Sequence, residues 1–211
     1  MRLVDNQKHA DQKRLFKAAT ENDFQTIADL VAKGGIDINA KSNHGRSALI
    51  IALENKSSEA ALMLIHHKAD VTAAAPVTGR QPLAIACAKG MQQVVERLIT
   101  AGAPLEAQAD ADGDTALMQA IKQGDGWAAC RLVAAGAEID TRRNHAGKTA
   151  GQLAPAYLGA ADYAFFKALV EKQQRQQAET AAQAMADNIR DATVLQREIA
   201  PLKRLHFRLR P

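Results

Sequence analysis

Gly45, Gly79, Gly113 and Gly147 stand 34 residues apart. The same step joins Leu15, Leu49, Leu83 and Leu117, then Ala18, Ala52, Ala86, Ala120 and Ala154, and again Leu30, Leu64, Leu98 and Leu132. A further column, Gly34, Lys68, Gly102 and Gly136, closes each unit. Several columns that keep one register from Leu15 to Ala154 mean that one supersecondary unit is repeated along the chain.

Each unit has the same internal order. A polar turn containing Gly, such as Asn43-His44-Gly45-Arg46, opens it, and a short run of small and apolar residues follows, Ser47-Ala48-Leu49-Ile50-Ile51-Ala52-Leu53. Asn55, Gly90 or Gly124 then breaks this first helix. A second helix carries apolar pairs at 60/61 and 64/65, at 94/95 and 98/99, and at 128/129 and 132/133. Pairs four apart lay one apolar stripe along one helix face. The closing Gly suits a left-handed helix cap. Two such short helices cannot bury their stripes alone, whereas copies stacked side by side bury them continuously. The expected fold is therefore an all-α solenoid of helix-turn-helix units.

These residues resemble the ankyrin-repeat family, whose pattern is Gly, one residue, Thr-Pro-Leu-His, an Ala-rich helix, Gly, a second helix with Leu-Leu, and Gly-Ala. The Thr-Pro-Leu-His slot here holds Ser47-Ala48-Leu49-Ile50, Gln81-Pro82-Leu83-Ala84, Thr115-Ala116-Leu117-Met118 and Thr149-Ala150-Gly151-Gln152. The His is absent from every copy, and the units are one residue longer than the roughly 33 usual in the family. The resemblance implies an ankyrin-repeat domain over 11–170 with about five repeats, at 11–40, 41–74, 75–108, 109–142 and 143–170, preceded by an N-terminal arm at 1–10. The first repeat lacks the Gly turn and opens on Asp11-Gln12-Lys13-Arg14, polar residues suited to a capping unit. In the last, Pro155-Ala156-Tyr157-Leu158-Gly159 reads as a three-residue insertion, after which Phe165, Phe166, Leu169 and Val170 restore the paired stripe.

The resemblance also implies that the turns, or fingers, and the first helices line a concave groove that holds a partner protein. The matching positions are Asn43, His44 and Arg46; Thr78 and Arg80; Asp112 and Asp114; His145 and Lys148 in the fingers, with Glu54, Asn55, Lys89, Lys122 and Gln123 on the first helices. All are expected to be exposed. The fingers are basic in the first two Gly-turn units, acidic in the third and basic in the fourth, an alternation that sets a partner's register more than its affinity. Trp127, the single tryptophan, falls at an outward position at the start of a second helix, where it either forms a secondary contact or packs beside the adjacent unit.

Residues 171–199 contain neither Gly nor Pro and read as one amphipathic helix, with Ala178, Ala182, Met185, Ile189, Ala192 and Leu195 or Ile199 on one face. Packing of this thin stripe against its own solenoid is expected, ahead of a coiled coil. The tail at 200–211 alternates apolar and basic residues from Leu205 to Arg210, which suits an extended strand. It serves as a partner-docking peptide, as an anchor for acidic lipid or nucleic acid, or as a solvated terminus. Lys203, Arg204, Arg208 and Arg210 carry the charge excess. The chain has 27 Lys and Arg and 23 Asp and Glu, and 27 − 4 = 23 leaves the body neutral. A neutral body is not a surface built for nucleic acid, so that class of partner is expected only through the tail.

No catalytic constellation fits the repeat register. Gly147-Lys148-Thr149 lacks the upstream Gly of a phosphate loop, since Arg142 stands there. Asp110-Ala111-Asp112-Gly113-Asp114 has its Gly misplaced for a calcium loop and Ile121 where a bidentate Glu is required. His66 and His67 diverge on a helix and lack companions at a metal-ligand spacing. Neither enzyme activity nor a cofactor nor a metal site is expected. Two cysteines, Cys87 and Cys130, lie in Ala-rich amphipathic runs and read as buried free thiols. With no apolar leader at the start of the chain and no bilayer-length apolar run, a cytoplasmic, monomeric interaction module is expected.

Overall fold

The computed structural model describes residues 2–108 and 112–208, with side chains described at 7–108, 112–187 and 189. Ten α-helices follow one another among these residues: α1 Arg2–Glu21, α2 Phe24–Lys33, α3 Ala48–Glu54, α4 Ser58–His66, α5 Pro82–Ala88, α6 Gln92–Thr100, α7 Ala116–Lys122, α8 Gly126–Ala134, α9 Ala150–Tyr157 and α10 Ala160–Arg208. The first helices α3, α5, α7 and α9 begin 34 residues apart, and so do the second helices from α2 to α10. First helices pack on first helices and second on second, so the pairs form an all-α solenoid. Extended structure among the described residues is confined to an isolated bridge between Lys41 and Ser47.

The starts of the first helices explain what the Thr-Pro-Leu-His slot does. Ser47, Thr115 and Thr149 cap their helices, each side-chain oxygen accepting from the backbone N–H of Ile50, Met118 or Gln152. Gln152 reaches back to the Thr149 N–H and completes a capping box. At α5 the hydroxyl is missing, and Pro82 instead presets the first helical turn. The second helices α2 and α8 are capped by Asp23 and Asp125. Ser57 ties repeats together, its hydroxyl donating to the Thr20 carbonyl at 3.1 Å.

Periodicity reaches the backbone angles. Positions 22, 56, 90 and 124 between the paired helices are all left-handed, held by Asn22, Lys56, Gly90 and Gly124. The sequence placed the break after α3 at Asn55; Asn55 is the cap with φ of −90°, and the left-handed residue is Lys56 with φ of 58°. A side chain with a Cβ costs about 1–2 kcal/mol in this region, partly offset by the extra chain entropy that Gly loses on folding. Lys56→Gly is therefore expected to stabilise the fold by roughly 0.5–1 kcal/mol, read as a higher denaturation midpoint. A lower midpoint would show that the Lys56 side chain contributes more than its strain removes.

The core is built from the columns that the sequence displays. Leu15, Leu49, Leu83 and Leu117 are buried, as are Leu30, Leu64, Leu98 and Leu132 and the Ala column from Ala18 to Ala154. Burial pushes both cysteine thiols up, Cys87 most strongly.

Several expectations are corrected. The last repeat has no insertion: α10 begins at Ala160, 34 residues after Gly126 starts α8. Phe166, not Phe165, thus continues the Leu132 column into the core, while Phe165 is exposed. The tail is not a strand, since α10 runs through Arg208; an isolated strand has no neighbour for its backbone groups, whereas a helix satisfies them internally. Within the C-terminal helix, Met185 and Ile189 are 67% and 60% exposed, and Ala192, Leu195 and Ile199 lie where side chains are not described. Residues 2–10, set apart in sequence as an arm, belong to α1.

The chain divides into two compact units, 1–167 and 168–211. The first holds the helix pairs; the second is the remainder of α10 together with residues 209–211, which lie outside the described residues, as do the side chains of the basic tail.

Candidate functional site

The 34-residue step places positions 46, 80, 114 and 148 in one column along the fingers, and 54, 88, 122 and 156 in another at the ends of the first helices. In the second repeat Arg46 Nη1 donates to Glu54 Oε2 at 2.8 Å, and in the fourth Lys122 Nζ donates to Asp114 Oδ2 at 2.5 Å. The two pairs are the same device with the charges exchanged. In the third and fifth repeats the helix position is Ala88 or Ala156, and the arrangement cannot form.

Burial distinguishes the two pairs. Arg46 and Glu54 keep 35% and 32% of their side chains exposed. Asp114 is wholly buried, which corrects the expectation that it stands exposed among the partner-contacting fingers. The cause is the next finger: Asn144 Nδ2 donates to Asp114 Oδ1 at 3.0 Å, and Gln119 Nε2 donates to Asp114 Oδ2 at 3.1 Å. The fingers around it are laced together as well. The His145 N–H donates to the Asp112 carbonyl at 2.8 Å, and Gln108 Nε2 donates to the carbonyls of Arg143 at 2.6 Å and Gly113 at 2.9 Å. A Cβ on Gly113 would lie 2.6 Å from the His145 ring, so the left-handed glycine also permits this close stacking.

The remaining positions form an open surface. Asn43, His44, Asn55, Thr78, Lys89, Asp112, Gln123, His145 and Lys148 are exposed, while Arg46, Glu54, Arg80 and Lys122 are half-buried. With the two internal pairs set aside, Lys89 and Lys148 are the exposed cations among these positions. The alternation of finger charge read from the sequence is thus partly consumed inside the protein.

On the side of the second helices the sequence singled out only Trp127. It is 43% exposed and stands at one end of an open groove of about 970 Å³, with Phe24, 42% exposed, Leu62 and Met63 also in its lining. These three were legible only as outward positions of the second helices, with no spacing to mark them. Beside the groove Arg131 grips the Glu96 carboxylate through Nε and Nη2, and this holds Glu96 below the usual carboxylate range and raises Arg131.

His66 and His67, expected to diverge, have ring centroids 5.0 Å apart in an edge-to-face arrangement. Among the described residues no three His, Cys, Asp or Glu side chains gather into a group able to hold a metal ion, and no described helix is long and apolar enough to cross a membrane.

No curated protein matches the chain. Its fold is similar to the crystal structure of an ankyrin repeat domain from Acinetobacter baumannii AYE, with 30% sequence identity and a TM-score of 0.66 over 75% of this chain and 80% of that one. The family model described as ankyrin repeats in three copies matches residues 2–75 and 73–143, more than half of the 211 residues. With the capped helix pairs, the 34-residue register and the laced fingers, the chain belongs to the ankyrin-repeat family.

Proposed function

We propose that the chain is a non-catalytic interaction module that holds a partner protein against the fingers and first helices, and that the partner presents an acidic segment there. Ankyrin repeats are generally protein–protein interaction modules, which supports the general reading. The observation that carries the finer one is the pair of exposed lysines, Lys89 and Lys148, on a face where Arg46–Glu54 and Asp114–Lys122 pair internally. Lys89 and Lys148 are exposed on that surface and stand on different repeats, so a partner that reaches both spans much of the stack. Lacing between fingers keeps these positions in fixed register, and a preorganised surface binds with less loss of conformational freedom. Two free, buried thiols and the absence of any need for a disulfide accord with a reducing, cytoplasmic setting.

The test compares pull-downs from the source cells with the full chain and with a Lys89→Glu/Lys148→Glu variant. Both residues are exposed, so the fold is expected to survive. Partner recovery is expected to fall at least tenfold, corresponding to about 1.4 kcal/mol. The wild-type complex is also expected to weaken as salt is raised, because exposed charges are screened. A partner recovered equally by both proteins would move recognition away from this face.

A further inference from the structure

The two internal ion pairs show what the repeat geometry brings together. Each joins a finger position to the first-helix position eight residues later, Arg46 to Glu54 at 2.8 Å and Asp114 to Lys122 at 2.5 Å. The order of the charges is reversed between them, so the contact belongs to the fold and not to one residue type. In the fifth repeat the finger position is Lys148 and the helix position is Ala156. Both are exposed, whereas Arg80 and Ala88 of the third repeat are half-buried. Among the described residues no carboxylate pairs with the Lys148 ammonium. The acid next to it in the finger column, Asp114, is wholly buried and taken by Lys122, Asn144 and Gln119. Lys148 is therefore one half of a pair whose other half stops at the Ala156 Cβ.

The surroundings hold this half-pair in place. The Lys148 N–H donates to Asn144 Oδ1 at 3.0 Å, and the Asn144 N–H donates to the Lys148 carbonyl at 3.0 Å. Asn144 is itself buried and bonded to Asp114, so the backbone beneath the lysine is tied to the neighbouring finger. Ala156 lies near the end of α9, whose start is fixed by the capping box of Thr149 and Gln152. The next residue, Tyr157, is 48% exposed and continues the column of Asn55, Lys89 and Gln123, which the sequence assigns to the partner face. A tyrosine there offers an apolar ring and a hydroxyl at the water boundary. On the same finger Arg143 is bonded to the neutral Gly147 carbonyl, so its charge adds to that of Lys148.

We propose that Lys148, Ala156 and Tyr157 form a slot for one Asp or Glu side chain of the partner protein. That side chain supplies the carboxylate that Glu54 supplies internally in the second repeat. The slot rests on the finger-face reading above and narrows it to one contact. The carboxylate accepts from Lys148 Nζ, in the place left open over Ala156, with Tyr157 alongside. The second and fourth repeats close the equivalent place with their own residues, so the partner's acidic side chain is directed to the fifth. One occupied and one open position of the same kind fix register along a stack whose fingers are otherwise similar.

The test titrates the ¹⁵N-labelled full chain, at physiological ionic strength, with a hexaglutamate peptide blocked at both ends. The amides of Gly147, Lys148 and Tyr157 are expected to shift, with millimolar dissociation. Ala156→Glu gives Lys148 an internal carboxylate and is expected to weaken binding about fivefold, as Lys148→Gln does. Ala156 is exposed, and an amide spectrum unchanged elsewhere verifies the fold. Gln93→Glu makes the same change in net charge on the second helix α6 and is expected to alter binding less than about twofold, because distant exposed charges are screened. Wild-type affinity in Ala156→Glu overturns the slot, as does an equal loss in Gln93→Glu. If Lys89→Glu/Lys148→Glu then still weakens binding, the slot alone is lost; if it does not, the finger-face reading fails with it. An acetylated alanine–glycine hexapeptide with a free C-terminal carboxylate, bound as tightly as hexaglutamate, would overturn the side-chain assignment.

Discussion

Asp114→Ala is expected to lower the unfolding free energy by about 3 kcal/mol, although the position sits in a turn that the sequence reads as solvent-facing. The carboxylate is wholly buried and receives hydrogen bonds from Lys122, Asn144 and Gln119. Its removal takes away the carboxylate that accepts from Asn144 and Gln119 in a buried site, and a buried donor left unmet costs about 1–3 kcal/mol. Lys122 keeps a quarter of its side chain exposed and can turn toward solvent, which limits its share of the loss. The repeat supplies its own control. Arg46 and Glu54 occupy the equivalent positions with both side chains about one-third exposed, and Glu54→Ala is expected to cost less than about 1 kcal/mol. Chemical denaturation of both variants measures the difference. Equal costs would mean that the next finger does not close over Asp114 in solution.

The same comparison shows where the sequence stops being informative. The columns Leu15 to Leu117, Ala18 to Ala154 and Leu30 to Leu132 give the core directly, because a buried position in a stack is buried in every copy for the same geometric reason. Caps are legible for a similar reason: Ser47, Thr115 and Thr149 mark the first helices through short-range chemistry that depends on nearby residues alone. Asp114 was misread because its environment comes from Asn144, 30 residues downstream in the next repeat. The supposed insertion at 155–159 came from forcing Phe165 into a column that Phe166 fills at the unbroken 34-residue step. The groove escaped for a third reason. Phe24, Leu62, Met63 and Trp127 lie in three different repeats at non-equivalent positions, so no column displays them.

Leu117→Ala is expected to have the larger effect, a loss of about 3–4 kcal/mol. The side chain is fully buried in α7, which packs on α5, α8 and α9. Losing it removes the transfer energy of the buried atoms and leaves a cavity that the surrounding helices cannot fully close. Its place in the stack matters as much as its burial. Each repeat touches only its neighbours, so stability is a sum of repeat and interface contributions along one dimension. A weak point at α7 therefore separates the helices before it from those after it, and unfolding is expected to lose its single cooperative transition. Leu15→Ala removes the equivalent side chain from α1 at the end of the array and is expected to cost less overall, since only one neighbouring repeat is affected. Hydrogen exchange distinguishes the two. Leu117→Ala should lose protection across α7 to α9, and Leu15→Ala in α1 and α2 alone. If both variants lost protection uniformly, the stack would be behaving as one closed core. The finger face would then lose its structural basis as a surface spread over separable repeats, because no repeat could be perturbed without the others.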